Sequence, residues 1–259
     1  MLAAPHALRS YEYWLFQYKR TYKGSLVSTI LFPVLFLASM GLGLGTLVDQ
    51  SASGGVDGRS YLTFLAPGLL AATAMQTAVG ESTYPVMGAI KWVKTYHAML
   101  ATPLGVLDVL VGHVLFIATR ILISAGIFLA VMTLFGASES PLALFALVGA
   151  LLTGLAFALP TIAFAAVTEN DAGFAFLFRF VVTPLFLFGG VFYPVEQLPV
   201  VLEQVAYVTP LWHGVDLSRD LALGTATAAG TAGHVLYLSV WIVAGFAVAA
   251  RNYRRRLAV

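Results

Sequence analysis

Residues 85–103, PVMGAIKWVKTYHAMLATP, break an otherwise almost continuous apolar chain with a short basic segment bracketed by prolines. Gly88 to Ala101 carries a helical pattern: Ile90, Val93, His97 and Leu100 share one face, and Trp92, Tyr96 and Met99 form an adjacent strip. At about fourteen residues the segment is too short for the roughly 30 Å hydrocarbon layer, and Lys91 and Lys94 hold it at a wet boundary. Two roles suit such a helix. It is an interfacial anchor, with the lysines at headgroups and Trp92 and Tyr96 at the apolar boundary. Alternatively it is a lever: a short helix rooted in two flanking spans that seats in a cleft of a cytoplasmic partner and passes on that partner's motion.

Working outward, the chain has 259 residues, of which 59% are hydrophobic and 10% charged, with a mean hydropathy of +0.88. That composition excludes an ordinary soluble domain and predicts an all-α polytopic membrane protein. The net charge of +2 comes from basic residues clustered beside apolar runs. They report topology and give no nucleic-acid-binding face. Without cysteine there is no disulfide, iron–sulfur or cysteine-ligated zinc chemistry. The first apolar run follows about twenty charged and aromatic residues and has no small-residue cleavage site behind it, so no cleaved leader is expected.

Pro5 to Lys23 places Leu8, Tyr11, Leu15, Tyr18 and Tyr22 at spacings of three and four, which predicts an amphipathic interfacial helix over residues 1–24. Gly24 and Ser25 suit a C-cap and an N-cap, where the chain turns from lying flat to crossing. The rest, 25–259, reads as one transmembrane domain with six spans at about 25–48, 61–84, 106–135, 141–167, 173–190 and 234–250. The polar segment occupies 88–101. Glu169-Asn170-Asp171 is expected to cap the fifth span. Residues 191–224 are broken by Pro194, Pro199 and Pro210 into two short helices, read as a re-entrant or surface hairpin between spans five and six. Basic residues crowd the region before span one, the 88–101 segment and the RNYRRR run at 251–256. Both termini are therefore expected on the cytoplasmic side, with an even number of crossings.

The chain carries no phosphate-binding G-x-x-x-x-G-K-[ST] loop, no H-E-x-x-H zinc helix and no G-x-S-x-G elbow. Any ATP and magnesium must belong to a partner chain, and this chain is not expected to be an enzyme or to hold a cofactor or metal. Arg120 lies well inside the third span, where an unpaired arginine costs at least about 2.5 kcal/mol, so it faces protein or a hydrated path. His113 falls on nearly the same face. With Glu81 near the boundary of span two, Arg120 and His113 form the candidate substrate path or gate, against a packing role for each. Two other classes stay open on these residues. An ion-coupled secondary transporter needs carboxylates deep in the membrane, and an intramembrane enzyme needs a nucleophile and base, for which Ser82 or Ser124 with His113 is the candidate.

The stretches YLTFLAPGLLAATAM, IKWVKTYHAMLATPL, FYPVEQLP and TPLWHGVDLSRDLALG, in this order, resemble type 2 ABC exporter permeases. The branch they resemble is the nodulation-protein J, lipooligosaccharide-export group, with daunorubicin-resistance permeases as relatives. The resemblance covers nearly the whole chain. It implies a pair of permease subunits, as a homodimer or a heterodimer, packed side by side in membrane lipid with two cytoplasmic ABC ATPase subunits. It matches Gly88 to Ala101 to the family's coupling helix, making Lys91, Trp92, Lys94, Tyr96 and His97 the candidate ATPase contacts. It further implies alternating access driven by ATP on the partner, exporting an amphipathic, lipid-linked or drug-like substrate.

Overall fold

The computed structural model describes residues 4–50, 55–56 and 58–257; much of the polar loop expected between Asp49 and Ser60 lies outside the described residues. Among those described, the regular elements are helices, apart from one isolated bridge between Val56 and Arg59. Within the described residues, five helices are long and apolar enough to cross a membrane, namely Thr29–Asp49, Tyr61–Trp92, Val106–Leu134, Pro141–Val167 and Ala228–Leu257. A further apolar stretch, Ala172–Phe188, is shorter. The chain is an all-α polytopic membrane protein.

Helix α1 (Ala4–Ala38) runs without a break through Gly24 and Ser25, then through a π-helical turn (Ser39–Gly45) into α2 (Thr46–Asp49). The expected turn is therefore absent. Extending an existing helix adds one hydrogen bond per residue fixed, which offsets the roughly 1 kcal/mol of an internal glycine. Helix α3 (Tyr61–Ser82) starts where the Ser60 hydroxyl accepts from the Thr63 amide and Asp49 Oδ1 accepts from the Tyr61 amide at 2.8 Å, pairing two otherwise orphaned donors. It breaks at Thr83, because Pro85 cannot donate to the carbonyl four residues back. Beyond the break come α4 (Tyr84–Met87), a π-helical turn (Gly88–Trp92) and α5 (Thr95–Leu100). Helix α6 (Val106–Leu134) begins with Asp108 accepting the Gly105 amide at 2.8 Å, and α7 (Ala146–Val167) follows a 3-10 turn at Pro141–Phe145.

The fifth apolar stretch of the sequence reading is split into α8 (Ala172–Leu177), a π-helical turn (Phe178–Val182) and α9 (Thr183–Phe188). Asp171 makes no side-chain cap there, and Glu169 is engaged elsewhere, so the expected capping role is not filled. The broken region forms α10 (Val200–Tyr207) and α11 (Pro210–Leu223), the latter capped by Thr209, whose hydroxyl accepts from the Trp212 amide. Helix α12 (Ala228–Leu257) is 30 residues long and takes RNYRRR into the helix, extending past both expected ends.

Helix α3 is the hub. Of its most apolar window 78% is buried, against 17% for α12 and 18% for Thr29–Asp49, and it packs on α6, α7 and α11. Helix α12 lies on α7, and the N-terminal half of α1 lies along α6. Close approach of these backbones depends on glycine. A Cβ on Gly112 of α6 would sit 2.4 Å from that of Ser10, and one on Gly214 of α11 would sit 2.0 Å from Thr153 Oγ1 of α7. The face that α1 buries carries Ala7, Ser10 and Trp14; Leu8 and Tyr22, the ends of the expected stripe, are exposed.

The α10–α11 hairpin is tied down by Arg219. Its Nη2 donates to the Gly190 carbonyl at 2.8 Å, its Nε to the Phe64 carbonyl at 3.2 Å, and its guanidinium lies 3.9 Å from the Phe64 ring centroid. His213 and His234 meet Nδ1 to Nδ1 at 2.9 Å, while His234 Nε2 reaches Asp216 at 3.2 Å, joining α11 to α12. Tyr237 donates to the Val208 carbonyl and stacks on His213.

Candidate functional site at the charged end of the bundle

The segment from Gly88 to Ala101 is two helical pieces joined at Lys94, which adopts left-handed backbone angles (φ 57°, ψ 29°). The expected single helix is thus replaced by a bend, and the bend divides the predicted faces. Trp92 and Val93 are 61% and 74% exposed, Lys94 is exposed as well, and together they form an apex. Ile90, Tyr96 and Met99 turn inward. Tyr96 has no exposed surface, so it is corrected from a direct partner contact to an internal residue. His97 is half-buried, with Nδ1 unpaired.

Tyr96 ties the segment to three helices. Its hydroxyl hydrogen-bonds His113 Nδ1 of α6 and accepts from the Tyr253 hydroxyl of α12 at 3.2 Å. Trp14 of α1 stacks on the His113 ring, with centroids 4.2 Å apart and planes 12° from parallel, and meets Tyr96 edge-on. Burial pushes the Tyr96 phenol far above its ordinary range, with Tyr253 adding to the shift, so this contact is held by a neutral hydroxyl. His113 therefore sits inside a packed aromatic cluster.

A second tie is ionic and lies at the surface. Glu169, in the α7–α8 loop, accepts from Lys91 Nζ at 2.8 Å and from Arg256 Nη2 at 2.9 Å, and Lys91 also bonds the Glu169 main-chain carbonyl. Lys91 is thus occupied within the chain. The hydrogen bond from Lys91, followed by the charge of Arg256, holds the Glu169 carboxyl below its ordinary range.

Arg120 Nε pairs with Glu81 Oε1 at 2.9 Å, and its guanidinium lies 4.3 Å from the Tyr18 ring centroid. The pair borders a cavity of about 250 Å³ that Trp14, Gln17, Tyr18 and Phe116 also line. Arg120 and Glu81 are therefore brought together, while His113 is turned to Tyr96. The serines proposed beside His113 are not so placed: Ser124 accepts from Thr77 at 3.4 Å, Ser82 is buried without a hydrogen bond, and His113 Nδ1 is taken by Tyr96. Nothing here assembles a nucleophile and base.

Sequence reasoning missed Trp14, Tyr253, Glu169 and Arg256. Trp14 lies one position off the Tyr and Leu stripe, and Tyr253 is hidden among arginines that read as a topology signal. A continuous helical register through RNYRRR, placing Ala249, Tyr253 and Leu257 on one stripe, was the available clue for Tyr253.

The chain is thus a helical membrane domain with a bent polar segment between its second and third long helices. The family model for the ABC-2 type transporter matches residues 12–223, and the chain belongs to that family. It is similar to Nodulation protein J of Rhizobium leguminosarum bv. viciae, at 34% identity over 96% of this chain and 92% of the relative. Nodulation protein J of Rhizobium meliloti (strain 1021) is 32% identical over 96% and 91% of the two chains. The Inner membrane transport permease YadH of Escherichia coli (strain K12) is 24% identical over 76% and 77%. The protein is the membrane subunit of a bacterial inner-membrane ABC transporter, a permease and not an enzyme, working with an ABC ATPase carried on a separate chain.

Proposed function

We propose that this permease exports an amphipathic, lipid-linked substrate, and that its ATPase seats on the apex formed by Trp92, Val93 and Lys94. One observation carries the reading: a bulky apolar and basic tip stands exposed on a segment whose other half is packed into the bundle. A lipid anchor needs only the exposed half. A lever needs both, because a force applied at the tip must reach the spans.

In this reading Ala172–Phe188 is a short sixth crossing and the α10–α11 hairpin re-enters from outside, which keeps both termini, the segment and Arg254 to Arg256 on the cytoplasmic side. At 17 residues it spans about 25 Å, which suits a thinned or locally re-shaped bilayer. A second permease copy lies against the exposed membrane faces, and closure of the ATPase pair rocks the two copies between inward and outward access. The Arg120–Glu81 pair gates the cytoplasmic side of the path. An amphipathic substrate is supported by an apolar cleft of about 710 Å³ between α7, α9, α10 and α12, lined by Phe157, Pro160, Val181, Leu185, Val205 and Trp241.

The test is co-purification of the ATPase in mild detergent with the wild type and with Val93→Glu, a change at a largely exposed side chain. The variant is expected to fold and to lose the ATPase. Undiminished recovery with Val93→Glu and with Trp92→Asp would return the segment to a lipid anchor.

A further inference from the structure

Five of the buried side-chain polar atoms without a hydrogen-bond partner among the described residues lie on the elements that meet around Tyr96. These are Trp14 Nε1 and Tyr18 Oη on α1, His97 Nδ1 on α5, and Asp108 Oδ1 and His113 Nε2 on α6. Trp14 and His113 of this set are stacked on one another beside Tyr96, while Tyr18 lies against Arg120. Tyr253 donates to the Tyr96 oxygen, which leaves the Tyr96 proton for His113 Nδ1. The His113 proton then resides on Nε2, a buried donor facing no acceptor. The junction is fastened by the Tyr96–His113 hydrogen bond, with Tyr253 donating to the Tyr96 oxygen and Ser10 of α1 bonding Met99 Sδ and the Val109 carbonyl.

On the reading that an ATPase seats on the 92–94 apex, we propose that Tyr96 and His113 form a pivot. It carries displacement of the segment into α6 and, through Tyr253, into α12. Tyr96 and His113 are positioning residues in this scheme: they touch neither nucleotide nor substrate. The Trp14 ring stacked on His113 brings α1 under the same control, so three helices answer to one contact.

The absence of cysteine from the sequence makes the test direct. Spin-label distances are measured in the permease–ATPase complex, nucleotide-free and trapped with ATP and vanadate. One pair, Ala98→Cys with Leu122→Cys, reports the segment against α6; the other, Leu122→Cys with Phe180→Cys, reports α6 against the α8–α9 stretch. In the wild type the first distance is expected to hold while the second shifts. In Tyr96→Phe, which keeps the ring, the bound ATPase still hydrolyses ATP, but the first distance changes and the second shift is lost. Tyr253→Phe is expected to retain part of the second shift, and His113→Gln, which still accepts from Tyr96, most of it; both serve if Tyr96→Phe is poorly folded. Wild-type behaviour of both pairs in Tyr96→Phe overturns the pivot and leaves the docking reading standing. Failure of the wild type to hold an ATPase removes the docking reading and the pivot with it.

Discussion

The two ends of the bundle are fastened differently. Around the α10–α11 hairpin, Arg219 bonds two main-chain carbonyls and stacks on Phe64, the His213–His234–Asp216 chain is paired throughout, and Ser218 is the buried polar side chain left unpartnered on these helices among the described residues. Around the 88–101 segment the buried ties are the Tyr96–His113–Tyr253 cluster and Ser10, which bonds Met99 Sδ and the Val109 carbonyl, and the ionic tie, Lys91–Glu169–Arg256, is at the surface. If Tyr96 and His113 act as the proposed pivot, the hairpin end holds still while the charged end moves.

Replacing Arg219 tests that contrast most severely. Arg219→Ala strips the Gly190 and Phe64 carbonyls of their donor and is expected to cost about 3 kcal/mol, read as a lowered thermal midpoint in detergent. A loss no larger than that of an exposed surface arginine would erase the distinction between the ends. At the charged end, Gly112→Ala drives a methyl into Ser10 of α1 and is expected to cost about 2 kcal/mol, with α1 loosened while the hairpin stays protected in hydrogen exchange. Exchange rising equally at both ends would mean the bundle responds as one body.

Acid gives the smallest and most local effect. Because Glu169 has its folded pKa depressed, the stability it lends is present above the ordinary carboxylate value of about 4.3 and is lost as pH falls through the lowered folded value. The wild type and Glu169→Gln are expected to differ slightly in thermal midpoint at neutral pH and to converge in acid below that range. A difference that persists unchanged there would locate the stabilisation outside the ionic tie.

Much of the fold was legible because membrane spans are written in local composition. The long apolar helices appear near their expected positions, and the prolines at 194, 199 and 210 divide 191–224 into short helices as expected. Less of the charged end was legible. Lys94 bends the chain within the 88–101 helix that was expected, so Val93, assigned to the face with Ile90, points outward, and Tyr96, assigned to the face with Trp92, points inward. A left-handed lysine has no sequence signature comparable to glycine, and a periodicity argument assumes an unbroken register.

The sequence by itself determined the membrane class, the long apolar helices and the place of the polar segment between the second and third of them. Hydropathy, helical periodicity and charge bias are sums over neighbours in the chain. Only the tertiary structure decided which half of that segment is exposed, that Arg120 meets Glu81, and that Tyr96 meets a histidine 17 residues away and a tyrosine 157 residues away. Those outcomes depend on how α1, α6 and α12 cross. The crossings are set by side-chain volume at close contacts such as Gly112 against Ser10, where partners distant in sequence must fit the same space.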